Sequence, residues 1–171
     1  VNLVHLTETS NLPLTANQKR LWVISQLRPD EPLYIVSSTY RFKGSLNRDL
    51  FERSLNLLFQ RHHIVFSVIK EMHGKPYCEI VTREVKVSYN DFTGISKEER
   101  EDKVSAVLYE DSRQAFNLSL GPLYRLYLMK TDEEEYYFHM SIHHIIFDGW
   151  SHGVFVNDLN EIYNNLKTGK E

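Results

Sequence analysis

Two adjacent histidines, an aspartate four residues on and a glycine after it carry the strongest chemical signal in the chain: His143, His144, Asp148 and Gly149, within SIHHIIFDGWS. They follow a run in which Tyr136, Phe138, Met140 and Ile142 alternate with more polar neighbours, the pattern of a strand with one buried face. The histidines therefore fall at a strand exit, where side chains leave the core. A neutral imidazole there can accept a proton from an attacking amine or hydroxyl, because its ordinary pKa lies near working pH. Asp148 is expected to hold the turn by pairing with a buried arginine. Gly149 lets the backbone turn or approach a ligand closely, and Ser151 is expected to cap a following helix. Two plainer readings compete. Paired histidines at a strand end are often only polar loop residues. His139, His143, His144, Asp148 and His152 also resemble a metal-ligand set, but His144, Asp148 and His152 share a face only on a helix. Gly149 and the strand-like lead-in argue against one, so no metal is expected.

The elements that must position these residues read as follows. T-A-N-Q is a capping box that opens a helix at Thr15 and runs to about Leu27, before Pro29. Residues 33–43 are rich in β-branched and aromatic types, with Tyr34, Val36, Tyr40 and Phe42 on one face, and predict a strand. Asn47 caps a helix to about His62 with a stripe of Leu50, Ser54, Leu57, Leu58 and Arg61. Short strands are predicted around 65–71, 76–81 and 85–89. Ser96 and Glu99 form a second capping box, before a helix with the stripe Val104, Val107, Leu108 and Ala115. Strands at 123–130 and 136–142 flank TDEEE. A last helix from about Ser151 puts Phe155, Leu159, Ile162, Tyr163 and Leu166 on one side. The mixed order predicts an α/β (α+β) two-layer sandwich, helices against a mostly antiparallel sheet.

Composition bounds the function. The 171 residues are 42% hydrophobic and 25% charged, with a net charge of −3, enough to build one core. The acidic balance argues against nucleic acid, which needs a basic face. No apolar run approaches the roughly 20 residues that span a bilayer, and the N-terminus lacks the pattern of a secretory signal. The single cysteine, Cys78, fits a reducing compartment. A cytoplasmic protein is expected. A start at Val1 and an end in KTGKE read as a segment cut from a longer polypeptide.

H-H-x-x-x-D-G resembles the active-site motif of the superfamily that contains chloramphenicol acetyltransferase and the condensation domains of nonribosomal peptide synthetases. HHIIFDGWS looks like the condensation-domain version. LTANQKRLW, residues 14–22, is similar to that family's first motif and brings in Gln18, Arg20 and Trp22. RHHIVFSVI, residues 61–69, matches the second motif in part: Arg61 and His62 are kept, while His63 stands where glutamate is usual and Phe66 where a second arginine is usual. The motifs fall in family order across nearly the whole chain.

The resemblance implies a chloramphenicol acetyltransferase-like fold and amide formation between a donor acyl thioester and an acceptor amine. Both would be held on phosphopantetheine arms of carrier-protein domains, with no cofactor bound directly. It implies that His144 is catalytic, that His143 and Asp148 are architectural with Arg61 the candidate partner of Asp148, and that Gly149 backs the thioester. Gln18, Arg20, Trp22, Trp150 and Ser151 complete the motifs and have structural explanations as well. Residues 1–171 would form the N-terminal lobe of a condensation domain, with the C-terminal lobe and neighbouring synthetase domains as partners. Alone, this lobe is expected to fold but to catalyse poorly. A trimeric acetyltransferase using CoA, and a silent carrier-binding module, are the alternatives.

Overall fold

Strict alternation along two neighbouring runs decides the main sheet. A computed structural model of the protein describes residues 11–170. In chain order the elements are β1 (Leu12–Pro13), α1 (Ala16–Leu27), β2 (Ile35–Lys43), α2 (Arg48–Arg61), β3 (Ser67–Met72), β4 (Lys75–Ile80), β5 (Ser88–Asp91), α3 (Lys97–Ser112), β6 (Tyr124–Asp132), β7 (Glu135–His143) and α4 (Gly149–Thr168). The main sheet has the order β2-β7-β6-β5 and a smaller one the order β1-β4-β3. All neighbours run antiparallel except β5 and β6. The α/β sandwich with a mostly antiparallel sheet is therefore present.

On one face of the main sheet, Leu126, Leu128, Phe138, Met140 and Ile142 are fully buried. The layer above them is α2 and α4. Phe59 meets Tyr124 edge-on at 4.8 Å, and Phe51 meets Phe138 edge-on at 5.1 Å. Such aromatic pairs contribute about 0.5–1.5 kcal/mol each beyond the area they bury. These rings also explain a shift from the expected α2 stripe. The helix buries Phe51, Ser54, Leu55, Leu58 and Phe59, leaving Leu57 and Arg61 exposed. Rotating the helix this way removes two large rings from water, which outweighs burying Leu57.

Local signals agree with the structure where hydrogen bonds set them. Thr15 and Ser96 form complete capping boxes, and Asn47 accepts the Leu50 N–H to cap α2. Other boundaries differ. Residues 63–66 form a 3-10 turn before β3, β5 lies three residues later than expected, and Ala115 lies beyond the end of α3.

The other face of the sheet is polar, and α3 covers part of it through a charged group. Asp111 is 1% exposed. It accepts hydrogen bonds from Arg125 Nε, from Tyr127 Oη at 3.0 Å, from His139 Nε2 at 3.1 Å and from Ser141 Oγ. Burial pushes this carboxyl up, but hydrogen bonds from His139, Arg125 and Ser141 outweigh it and hold the group well below the usual carboxylate range. An ionised carboxylate only accepts, so Ser141 spends its proton on Asp111 and accepts from Ser37 at 2.7 Å. Thr39 contacts the far nitrogen of His139 at 2.8 Å. The network thus ties α3 to β2, β6 and β7.

Replacing Asp111 with asparagine leaves Arg125 facing a neutral group inside this network, and should cost about 3–5 kcal/mol in urea unfolding at neutral pH. Because the native carboxyl titrates below its unfolded value, its contribution is complete above about pH 4 and is lost as the pH falls further. Asp111→Asn should lack that acid limb. Equal unfolding midpoints for both proteins would contradict this account.

Candidate active site

The passage from β7 to α4 takes the chain through His143, His144, Ile145, Ile146, Phe147 and Asp148. Ile145, Ile146 and Phe147 are 3%, 7% and 5% exposed and anchor the turn in the core, while His144 and Asp148 face outward. Buried backbone must find partners, and several are identifiable. The His143 N–H donates to Leu123 O at 2.9 Å, the His144 N–H to Tyr34 O at 2.7 Å, and the Ile146 N–H to His143 O at 3.1 Å. The Ile145 N–H donates to His143 Nδ1 at 3.0 Å. Gln18 closes its capping box with Oε1 and donates from Nε2 to Ile145 O at 3.0 Å. The first family-like segment therefore holds the third one directly.

These bonds assign the two imidazoles opposite tautomers. His143 Nδ1 receives a backbone N–H, so in the neutral ring the proton sits on Nε2. Burial, with the nearby His144 adding to it, pushes the His143 pKa down to about 4 and keeps the ring neutral. His144 Nδ1 lies 2.6 Å from Phe147 O, which can only accept, so Nδ1 carries the proton. The lone pair is left on Nε2 of an exposed ring. That is the arrangement of a proton acceptor.

His144 opens on a groove of about 540 Å³ between α1 and the turn, with Gln18, Leu21, Ile24, Tyr34 and Ile64 among its walls. Arg20 lines the same groove, whereas Trp22 packs against the core and lines a separate hollow. Trp150 is 85% exposed at the start of α4. Gly149 opens that helix without a left-handed backbone, and a Cβ there would meet nothing within 4 Å.

Two expectations about this site require correction. Asp148, not Ser151, is the N-cap of α4. Its carboxylate accepts the Ser151 N–H at 2.8 Å and the Ser151 hydroxyl at 2.7 Å, and these bonds hold its pKa below the usual range. Arg61 does not pair with Asp148. Arg61 reaches Asp158 at 3.3 Å, and His62 reaches the same oxygen at 2.7 Å. The last turn of α2 lies beside the middle of α4 rather than its first residue, which places the arginine there. No ion pair forms at Asp148 among the described residues. Phe66, in the usual arginine's place, is 2% exposed and packs edge-on to Phe59 at 6.1 Å. The remaining histidines diverge: His139 goes to Asp111, and His152 to Ser38 at 3.0 Å and to the Tyr40 hydroxyl.

Tyr34 and the second use of Gln18 escape sequence reading. A capping box explains Gln18 completely, so nothing signals a further bond. Tyr34 reads as a strand residue, yet it lies outside β2 with φ of 56°. A tyrosine does not mark that conformation in advance, as a glycine or asparagine can.

Comparison with known proteins fixes the class. The Condensation domain family model matches residues 8–171; the chain belongs to that family. It is 35% identical over 170 residues to a linear gramicidin synthase of Brevibacillus parabrevis, covering 99% of this chain and 2% of the relative. Malpibaldin synthetase of Mortierella alpina is 27% identical across 96% of this chain and 3% of its own length. Among solved structures, the starter condensation domain of the rhizomide synthetase superposes with a TM-score of 0.89 at 22% identity, over 95% of this chain and 40% of that one. The first condensation domain of the CDA synthetase gives 0.87 at 21%, over 96% and 42%. The chain thus spans a few per cent of the synthetases and about two fifths of the solved domains. Among the described residues no helix is long and apolar enough to cross a membrane.

The neutral burial of His143 has a thermodynamic signature. Its folded pKa of about 4 lies below the ordinary histidine value of about 6.5, so between these values the unfolded chain binds the extra proton. Stability should be fully present above about pH 6.5 and fall by about 3 kcal/mol as the pH drops toward 4. His143→Gln, whose amide oxygen can still receive the Ile145 N–H, should flatten that part of the curve. Urea midpoints from pH 4 to pH 7 measure it, and an unchanged slope in the variant would reject the assignment.

Proposed function

We propose that this chain contributes the histidine-bearing wall of a condensation site. There an acceptor amine attacks a donor acyl thioester to form an amide, both groups being carried on phosphopantetheine arms of carrier-protein domains. The observation that carries the reading is the tautomer of His144: Nδ1–H is spent on Phe147 O, which leaves Nε2 as the free nitrogen of a ring that lines the groove. Nε2 orients the acceptor amine and takes its proton late in the attack. A neutral amine is already a good nucleophile, so alignment contributes most. Positioning two reactants supplies about 7–11 kcal/mol of barrier lowering, against a typical 10²–10⁴-fold from a general base.

Several features support the reading. A solved neighbour, the starter condensation domain of the rhizomide synthetase, is described in complex with C8-CoA, an acyl thioester on a pantetheine arm. Among the described residues nothing lies within 4 Å of where a Gly149 Cβ would be, which fits a position kept free of a side chain so that the thioester can pass. The groove lies between α1 and the turn, and the solved neighbours are more than twice as long. That difference in length supports a second lobe that completes the site, without which the isolated segment forms amide slowly if at all. No cofactor is required by this chemistry. The single cysteine fits the cytoplasm as the working compartment.

In the complete condensation domain, His144→Ala should lower single-turnover amide formation by about 10²-fold or more while the unfolding midpoint stays near wild type. Wild-type turnover in that variant would remove His144 from the reaction. Gly149→Ala separates packing from chemistry. Helix propensity favours alanine by about 1 kcal/mol, so the variant should be at least as stable as wild type yet slower with thioester substrates. Unchanged rates would mean that the space above Gly149 is not used.

A further inference from the structure

Tyr34 sits at the point where β2 stops pairing with β7. The last register pair is Ile35 opposite His143, and one step further out the His144 N–H donates to Tyr34 O at 2.7 Å. Tyr34 reaches that bond with φ of 56°, in the left-handed region. For a residue with a Cβ that region costs about 1–2 kcal/mol, and for a bulky one it is an outlier. Glycine would make the same turn freely. The chain places an aromatic ring there instead, 37% exposed and lining the groove beside His144. Among the described residues its hydroxyl has no hydrogen-bond partner, so the ring rather than the phenol is what the position uses. Strain of this kind persists where surrounding structure over-determines it, and it clusters at functional sites.

We infer that Tyr34 is a positioning and substrate-contacting residue. Its left-handed backbone aims its carbonyl at the His144 N–H and so fixes the imidazole, while its ring forms the groove wall against the pantetheine-borne group next to Nε2. The second half of this inference rests on the condensation reading; the first half does not.

Three substitutions at this position separate the two roles, measured in the complete condensation domain with alanyl-pantetheine thioester as the varied substrate. Tyr34→Phe keeps the ring and should stay within about twofold of wild type in kcat and KM. Tyr34→Gly adopts the left-handed backbone without cost but has no ring. It should keep slow hydrogen exchange at the His144 amide and a near-normal kcat, with KM raised about tenfold. Tyr34→Val resists that backbone through its branched Cβ, and should speed His144 exchange about tenfold and lower kcat. Exchange at Met140, in the middle of β7, reports whether each variant is folded. Equal His144 exchange in the glycine and valine variants overturns the backbone role, and a wild-type KM in the glycine variant overturns the wall. If wild type itself forms no amide, the condensation reading fails, and the exchange comparison still decides the backbone role.

Discussion

The turn between β7 and α4 must bury three large apolar residues in succession, and burying them drags their backbone polar groups out of water. Each unpaired group there would cost about 1–3 kcal/mol, so the turn exists only because side chains and neighbouring loops pair them. Gln18 takes one carbonyl, His143 one N–H, His144 another carbonyl and Tyr34 another N–H. The same accounting decides the chemistry. With Nδ1 of His144 committed to Phe147 O, the lone pair is on Nε2 of a ring that lines the groove. The nitrogen left free is the one the turn did not need.

Precision at that nitrogen depends on how firmly β7 is held, and its two faces are held by different means. The aromatic and aliphatic face packs under α2 and α4 through non-directional burial, which gives stability but tolerates small slides. The polar face is fixed by directional bonds converging on Asp111. A buried charge contributes little net stability over an apolar pair, yet a displaced one is strongly penalised. Asp111 therefore acts as a register pin for β7. His143, two residues beyond Ser141 and on the same face, inherits that register.

Much of the site is legible in the sequence because its signals are local. Alternation through Tyr136, Phe138, Met140 and Ile142 locates β7, and the two capping boxes mark the starts of α1 and α3. The order of the family-like segments identifies the fold. What escapes depends on distant partners. The partner of Arg61 follows from where α2 crosses α4, which sequence spacing does not encode. Periodicity places the α2 stripe one position off because Leu and Phe count alike in such a pattern, while rings bury more area. Asp111 is invisible since a search for apolar stripes passes over the one charged residue that α3 buries most deeply. The choice between Asp148 and Ser151 as cap is open to either, both being good N-cap residues; the β-region backbone at Asp148 decides it.

Asp148 has no arginine beside it among the described residues: Arg61 turns to Asp158, and phenylalanine stands at position 66. The position of Asp148 itself compensates. An N-cap carboxylate faces the unpaired N–H groups of the first helical turn, where the aligned peptide dipoles place roughly half a positive charge. α4 is 20 residues long, ample for that effect. Two bonds from Ser151 add to it and lower the carboxyl's proton affinity. Positive potential that a guanidinium at position 66 would bring is thus available from the helix that Asp148 itself begins. Phe66 can then serve the core, edge-on to Phe59. The cap also orients Phe147 O, which immediately precedes Asp148 and receives the His144 Nδ1–H. In this chain the aspartate influences the imidazole through the backbone it shapes, and a missing arginine leaves that route intact.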